Sequence, residues 1–250
     1  MGWATGCMEQ WILEHMESYG TFENECMVIL YDDMAKLLKD ARFHYKEVSQ
    51  EAKDIGSQVH GIIERHIKTN LAGKIPVYLE LNKDPAVNPD EVHNGYNAFL
   101  EWEKKFVVRY IETEQTIFHA QELFGGTLDC IAELKDGIYC IDFKASKGFY
   151  DGYGKQVASY KFARESVKEP TTLNVKTRDD REFSCTLNPI KIDGIGVLRL
   201  DKETGQPEWK DYSSKYDRKI KSFLALLDFW YKDKNRQLKG NDRAKKLKAT

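Results

Sequence analysis

The sequence predicts an α/β fold in which helices flank a mixed central β-sheet, preceded by a helical N-terminal part. Apolar residues recur at helical spacing over much of residues 7–106. From 109 to 144 they instead form short runs of the kind found in buried strands, and after 153 helical and strand-like patterns alternate. This order is typical of an α/β core with a helical extension.

The helical part is expected to cover residues 1–107 of a single domain of 250 residues. A chain of this length can bury one sizeable core, or a core with an appended subdomain. The last helix of this part begins with a capping side chain, a proline at the first helical position and two early acids. The predicted order is helices at 7–16, 28–39 and 46–69, a loop with Pro76 and Pro85, and a helix from Asn88-Pro89-Asp90-Glu91 to Phe106.

The core is expected to cover residues 108–231, where strands alternate with helices. Asp136-Gly137 marks a hairpin turn between two strands, and Arg178-Asp179-Asp180-Arg181 marks the turn of an inserted hairpin. The predicted order is strands at 109–118, 125–134 and 138–144, a helix at 153–167, the hairpin at 171–187, strands at 194–200 and 206–212, and a helix at 215–231.

The formal net charge of −2 conceals a basic C-terminal tail at 232–250. Eight lysines and arginines lie between Lys232 and Lys248, against two aspartates. Such a tail can contact phosphates without sequence preference, and a solvated, frayed terminus explains it equally well. No apolar run approaches the roughly 20 residues of a membrane helix, and no basic-then-apolar leader is present. We therefore expect a cytoplasmic protein with no membrane partner.

The five cysteines are scattered and never form a C-x-x-C pair. Zinc and iron–sulfur sites normally need clustered thiolates, so we expect no iron–sulfur cluster. Reduced, mostly buried thiols are the better interpretation. The residues concerned are Cys7, Cys26, Cys130, Cys140 and Cys185.

Two carboxylates and a lysine mark the candidate site. Asp129 and Asp142 lie on apolar strand-like runs, and Lys144 lies two residues beyond Asp142, on the same strand face. Charged groups on the interior face of a strand are costly unless something pairs with them. A divalent cation with oxygen ligands supplies that compensation, although Asp129 could also be a turn residue at a strand end.

Four motifs in order resemble the PD-(D/E)xK nuclease superfamily, more narrowly its RecB-like exonuclease branch. They run from a helical Gly-x-x-x-His motif to a Gln-x-x-x-Tyr motif, where the four-residue spacing puts both side chains on one helix face. The resemblance implies a restriction-endonuclease-like core. The motifs are Gly56-x-x-x-His60, Gly126-Thr127-Leu128-Asp129, Ile141-Asp142-Phe143-Lys144 and Gln156-x-x-x-Tyr160.

The resemblance also implies a role for each motif residue. Asp129, Asp142, His60 and the backbone carbonyl of Phe143 would hold Mg²⁺ or Mn²⁺, with the histidine favouring manganese. Lys144 would orient the attacking water and balance charge on the phosphate. Without the resemblance, His60 would be an ordinary core histidine.

Further residues are weaker candidates. By the resemblance, Gln156 and Tyr160 would contact the DNA backbone and Lys144, although a packing role also explains them. Glu114 best matches an additional family carboxylate, while Glu112, on the same strand face, stays open. Ser146 and Lys147, just past the strand, could touch phosphate or form a solvated loop.

The expected function is metal-dependent hydrolysis of DNA that leaves 5′-phosphates, and the resemblance favours an exonuclease that accepts single strands. The context would be recombination, repair or phage DNA processing. There is no G-x-x-x-x-G-K-[ST] loop, so we expect no bound nucleotide, and a helicase or recombinase would be a separate partner. An endonuclease of the same superfamily and an inactive DNA-binding or assembly protein are the alternatives.

Overall fold

The computed structural model describes residues 2–23, 26–75, 87–176 and 182–248. The chain forms two compact units. The first comprises residues 1–58 and 81–89, and the second comprises 59–80 and 90–250. The predicted proline loop at 76–85 and the Arg178–Arg181 turn lie outside the described residues.

The first unit is mainly helical. It contains helix α1 (Gly2–His15), a 3₁₀ turn at Met16–Ser18, and an antiparallel pair formed by β1 (Thr21–Glu23) and β2 (Cys26–Val28). The sequence analysis did not predict this small pair. Three-residue strands are too short to show a two-residue alternation, which explains the omission.

Helix α2 (Tyr31–Leu71) is continuous over 41 residues, so the prediction of two helices at 28–39 and 46–69 was wrong. The expected break fell in a stretch, 40–45, that contains neither glycine nor proline, and Ala41 within it is buried. Nothing local therefore ends the helix. The division between the two units falls within α2, after Gln58.

The second unit contains a mixed five-stranded sheet flanked by helices, which confirms the predicted α/β class. The first three strands form an antiparallel meander, the fourth is parallel to the third, and the fifth is antiparallel to the fourth. In spatial order the strands are β3 (Val107–His119), β4 (Phe124–Leu134), β5 (Gly137–Lys144), β8 (Gly194–Leu200) and β9 (Pro207–Asp211).

Helices pack on the sheet through two apolar layers. In one layer, α3 (Pro89–Phe106) packs on the sheet through two aromatic rings. The ring centroid of Phe99 lies 5.7 Å from that of Phe143, and the ring centroid of Trp102 lies 5.3 Å from that of Trp209. The other layer joins α4 (Asp151–Glu165) and the start of α5 (Tyr216–Lys248) to the sheet. Its buried apolar residues include Ile117, Leu128, Ile131, Cys140, Val157, Ala158, Ile195, Val197 and Ile220.

Two further features complete the described chain. Strands β6 (Thr171–Lys176) and β7 (Glu182–Leu187) pair antiparallel, as the predicted hairpin requires. The α5 backbone continues as helix through Lys248, well past the predicted end at 231. Within the described ranges, no helix combines the length and the apolar composition needed to cross a membrane.

Candidate active site

The site lies where strands β4 and β5 stop pairing. The last registered pair is Cys130 with Ile141, and Asp129 and Asp142 each lie one residue beyond it. Instead of a ladder bond, the backbone N–H of Phe143 donates to Asp129 Oδ2 at 2.7 Å. The separation of the strands thus brings two carboxylates side by side and gives one of them a backbone donor.

Glu114 extends this row of acids to the neighbouring strand. Its neighbours Thr113 and Gln115 pair with Cys130 and Leu128, so Glu114 lies opposite Asp129. Its φ of 47° is in the left-handed region, which non-glycine residues rarely adopt. Such backbone strain is concentrated at functional sites.

Glu112 does not share the surroundings of Glu114, contrary to the strand-alternation argument. The Arg164 guanidinium, which is 1% exposed, donates to the Glu112 carboxylate from Nε at 2.9 Å and from Nη2 at 2.5 Å. A register shift lies between Tyr110 and Glu112, and the left-handed residue follows at Glu114. Only the left-handed residue lies between the two surroundings, since pairing is regular from Glu112 to Gln115, and Glu112 becomes a partly buried partner of Arg164.

His60 reaches the same row from helix α2. Its Nε2–H donates to the carbonyl oxygen of Phe143 at 2.9 Å, and its Nδ1 lies 3.7 Å from Asp129 Oδ2. Burial, and next the charge of Lys144, lower the pKa of His60. This favours the neutral imidazole, whose Nδ1 lone pair is then available as a ligand. A backbone bond from the second ring nitrogen is the usual way to orient a metal-binding histidine.

The donor set fits a divalent cation. Ligand atoms of His60, Glu114 and Asp129 all lie within 4.8 Å of one another. Atoms that ligate one ion at about 2.0–2.6 Å lie roughly 3–5 Å apart. Asp142 is not a member of this group of three, but its buried Oδ1 has no hydrogen-bond partner among the described residues. An unpaired buried carboxylate oxygen beside three potential ligands is unfavourable unless a cation compensates it.

Lys144 is paired with the second aspartate. Its Nζ lies 2.6 Å from Asp142 Oδ2 and 5.2 Å from the ring centroid of Tyr153 on α4. The Asp142 side chain is fully buried, whereas the lysine retains some exposure. The ammonium group is therefore held between a carboxylate and an aromatic face.

The acids carry more negative charge than their surroundings compensate. Burial, and next the charge of Asp129, raise the pKa of Asp142 to about 7. Burial likewise raises the pKa of Asp129, and burial followed by Asp129 and Glu64 raises the pKa of Glu114 to about 7. Perturbed carboxylates that cluster in this way are typical of metal and catalytic sites.

The Gln-x-x-x-Tyr motif lies on α4. Gln156 Nε2 donates to the Tyr160 hydroxyl at 2.7 Å. A Cβ atom at Gly126 would lie 3.1 Å from Tyr160 Cε1, so the missing side chain lets the ring pack on the β4 backbone. Gly126 and Tyr160, which belong to two different sequence motifs, are therefore in contact.

Ser146 and Lys147 form part of a separate polar pocket of about 210 Å³. Ser146 Oγ donates to the Gly148 carbonyl at 2.9 Å, and Lys147 Nζ forms an exposed ion pair with Glu203 at 3.4 Å. Arg199 and Asp201 also line this pocket. The structure does not bring either residue into the group around Asp129.

Two residues with clear local functions were missed from the sequence. Tyr153 contacts Lys144, and Arg164 holds Glu112. Tyr153 precedes Gln156 by three positions, so helical spacing was a usable signal for the first. Comparison with protein-family models and with curated proteins gives no match for the chain.

Proposed function

We propose that this protein is a metal-dependent deoxyribonuclease of the PD-(D/E)xK superfamily, in its RecB-like branch, with a restriction-endonuclease-like core. The observation that carries the proposal is the row of Glu114, Asp129 and Asp142 across three strands, with Lys144 at its end. Oxygen ligands beside one lysine match the needs of phosphodiester hydrolysis, in which charge develops on phosphate oxygens.

Asp129, Glu114 and His60 would hold Mg²⁺ or Mn²⁺, with Asp142 adjacent. Such a cation, when bound, supplies Lewis-acid stabilisation of the phosphate and makes water more acidic. His60 keeps its Nδ1 turned to the acids because its Nε2–H is bonded to the Phe143 carbonyl. Asp129 is oriented by the backbone N–H of Phe143.

Lys144 contributes positive charge next to the acids. Its ammonium group, already paired with Asp142, can donate to a nonbridging phosphate oxygen or to the attacking water. Gln156 and Tyr160 line the α4 side of the site and offer polar atoms to the DNA backbone. Hydrolysis with departure of the 3′-oxygen leaves a 5′-phosphate, and exonuclease action is the preferred subtype.

The test is a DNA digestion assay with the full-length protein. Labelled linear single strands, linear duplexes and closed circular single strands are incubated with Mn²⁺, Mg²⁺ or EDTA. We expect progressive degradation of linear DNA with either metal, no degradation in EDTA and survival of closed circles. The product ends should carry 5′-phosphates. DNA ligase should therefore join them directly, and prior treatment with phosphatase should prevent ligation.

Single substitutions distinguish cleavage by this protein from cleavage by a contaminating nuclease. Asp142→Asn should abolish cleavage, because it removes a charge beside the metal ligands. Asp136→Asn is the matched control, since this exposed aspartate lies in the turn before β5 and should cleave at the wild-type rate. Equal digestion by Asp142→Asn and wild type would refute the proposed site. Nicking of closed circles would keep the chemistry and replace the exonuclease assignment with an endonuclease one.

A further inference from the structure

An exposed tyrosine lies two ring contacts away from the proposed catalytic lysine. Lys144 Nζ is 5.2 Å from the Tyr153 ring centroid, and that centroid is 5.4 Å from the ring centroid of Tyr150. The Tyr150 backbone carbonyl accepts a hydrogen bond from the Tyr153 N–H at 3.1 Å. The backbone of Tyr150 is thus held at the N-terminus of α4, next to the site.

The ring geometry leaves one face of Tyr150 open. The two tyrosine rings meet at 87°, which is an edge-to-face contact. If Tyr150 presents its edge, Tyr153 covers neither of its faces. If Tyr150 presents a face, the opposite face stays uncovered, and the residue as a whole is 58% exposed. A large exposed aromatic ring beside the proposed catalytic lysine is suited to stacking.

Two exposed lysines lie near Tyr150, one along the chain and one through the ring of its neighbour Phe149. Lys147 is exposed and pairs with exposed Glu203. Because an exposed ion pair adds little stability, Lys147 can bind a phosphate in place of Glu203. The exposed Lys210 has its Nζ 4.9 Å from the ring centroid of Phe149, the residue before Tyr150. Lysines interleaved with aromatic rings are the usual surface for unpaired nucleic acid, where bases stack and phosphates pair with cations.

We infer that Tyr150 is a stacking platform for an unpaired nucleobase next to the scissile phosphate, so that the bound strand is single-stranded DNA. The inference rests on the proposed nuclease function and deepens it. A paired base has both faces covered by its neighbours in the duplex, so it cannot stack on Tyr150 without unpairing. The platform therefore makes a single strand, or a frayed duplex end, the preferred substrate.

The test measures kcat/KM of full-length variants on a single-stranded oligonucleotide and on versions in which one nucleotide near an end is abasic. Tyr150→Ala should lose about 5- to 100-fold on the base-containing strand, as expected for one base–aromatic stack. On the strand that lacks the stacking base, kcat/KM of Tyr150→Ala should be close to that of the wild type. The abasic site has already removed the contact that the substitution would remove. Tyr150→Trp should retain the wild-type value. Phe229→Ala, at an exposed aromatic of α5, is the control.

A binding experiment in EDTA supplies a readout besides activity. 2-Aminopurine placed at the sensitive position should lose fluorescence on binding to the wild-type protein and keep it with Tyr150→Ala. Equal kcat/KM for Tyr150→Ala and wild type on the base-containing strand overturns the platform and leaves the nuclease function intact. Equal losses on base-containing and abasic strands also overturn it, because the role is then structural. A wild-type protein that cleaves no DNA instead overturns the proposed function.

Discussion

Replacing Asp142 by asparagine should stabilise the metal-free protein above pH 7 while it abolishes cleavage. The Asp142 side chain has no exposed surface, and burial together with the Asp129 charge raises its pKa from 3.8 to about 7. A folded aspartate with a raised pKa holds its proton more tightly than the unfolded chain does. The metal-free wild-type protein therefore loses stability as the pH rises from about 4 to about 7.

The magnitude follows from that shift. A pKa difference of one corresponds to about 1.4 kcal/mol, so raising the pKa of Asp142 from 3.8 to about 7 costs the ionised, folded protein about 4 kcal/mol. Asparagine removes this cost, and no ion-pair energy is subtracted separately, because the raised pKa of Asp142 already includes the favourable charge of Lys144. The gain in the free energy of unfolding is therefore about 4 kcal/mol at pH 8, or about 8–16 °C in the thermal midpoint.

Thermal unfolding in EDTA at pH 4, 6 and 8 measures the effect. The difference between Asp142→Asn and wild type should be absent at pH 4 and largest at pH 8. At pH 8, a free Mn²⁺ concentration of 100 times the Kd should raise the free energy of unfolding of the wild-type protein by about 2.7 kcal/mol. The same Mn²⁺ concentration should raise that of the variant by less. Asp136→Asn, at an exposed turn residue, should follow the wild type throughout. A variant that melts below the wild type at pH 8 in EDTA would refute the charge-strain argument.

Three further perturbations test separate parts of the site. Lys144→Met should lose cleavage but keep its Mn²⁺-induced thermal shift, because the lysine pairs with a carboxylate and is not a ligand; loss of both would make it part of the metal site. Glu112→Gln should lower stability by about 3–5 kcal/mol, since it leaves the buried Arg164 charge uncompensated, and an unchanged thermal midpoint would contradict this. Gly126→Ala should lower the free energy of unfolding by about 1–3 kcal/mol and reduce cleavage, because the added Cβ would displace Tyr160. Wild-type kinetics in this variant would show that the contact is dispensable.

Strand alternation made part of the site predictable from the sequence. Asp129, Asp142 and Lys144 lie on apolar runs whose local pattern predicted strands β4 and β5, and the structure has strands there. Alternation within one strand then determines that Asp142 and Lys144 share a face. The helical position of His60 was predictable for the same reason, since helical periodicity depends only on neighbours along the chain.

Partners across elements depended on the tertiary structure. The choice between Glu112 and Glu114 depended on the left-handed backbone at Glu114 and on the packing of Arg164 against Glu112, and neither leaves a clear signal in the sequence. The contact of Lys144 with Tyr153 depended on the docking of α4 against β5. Hydrophobic period and turn residues specify elements because they act over a few positions. Register, strand separation and helix docking follow from packing across the whole unit, so only the folded chain decides which charges meet.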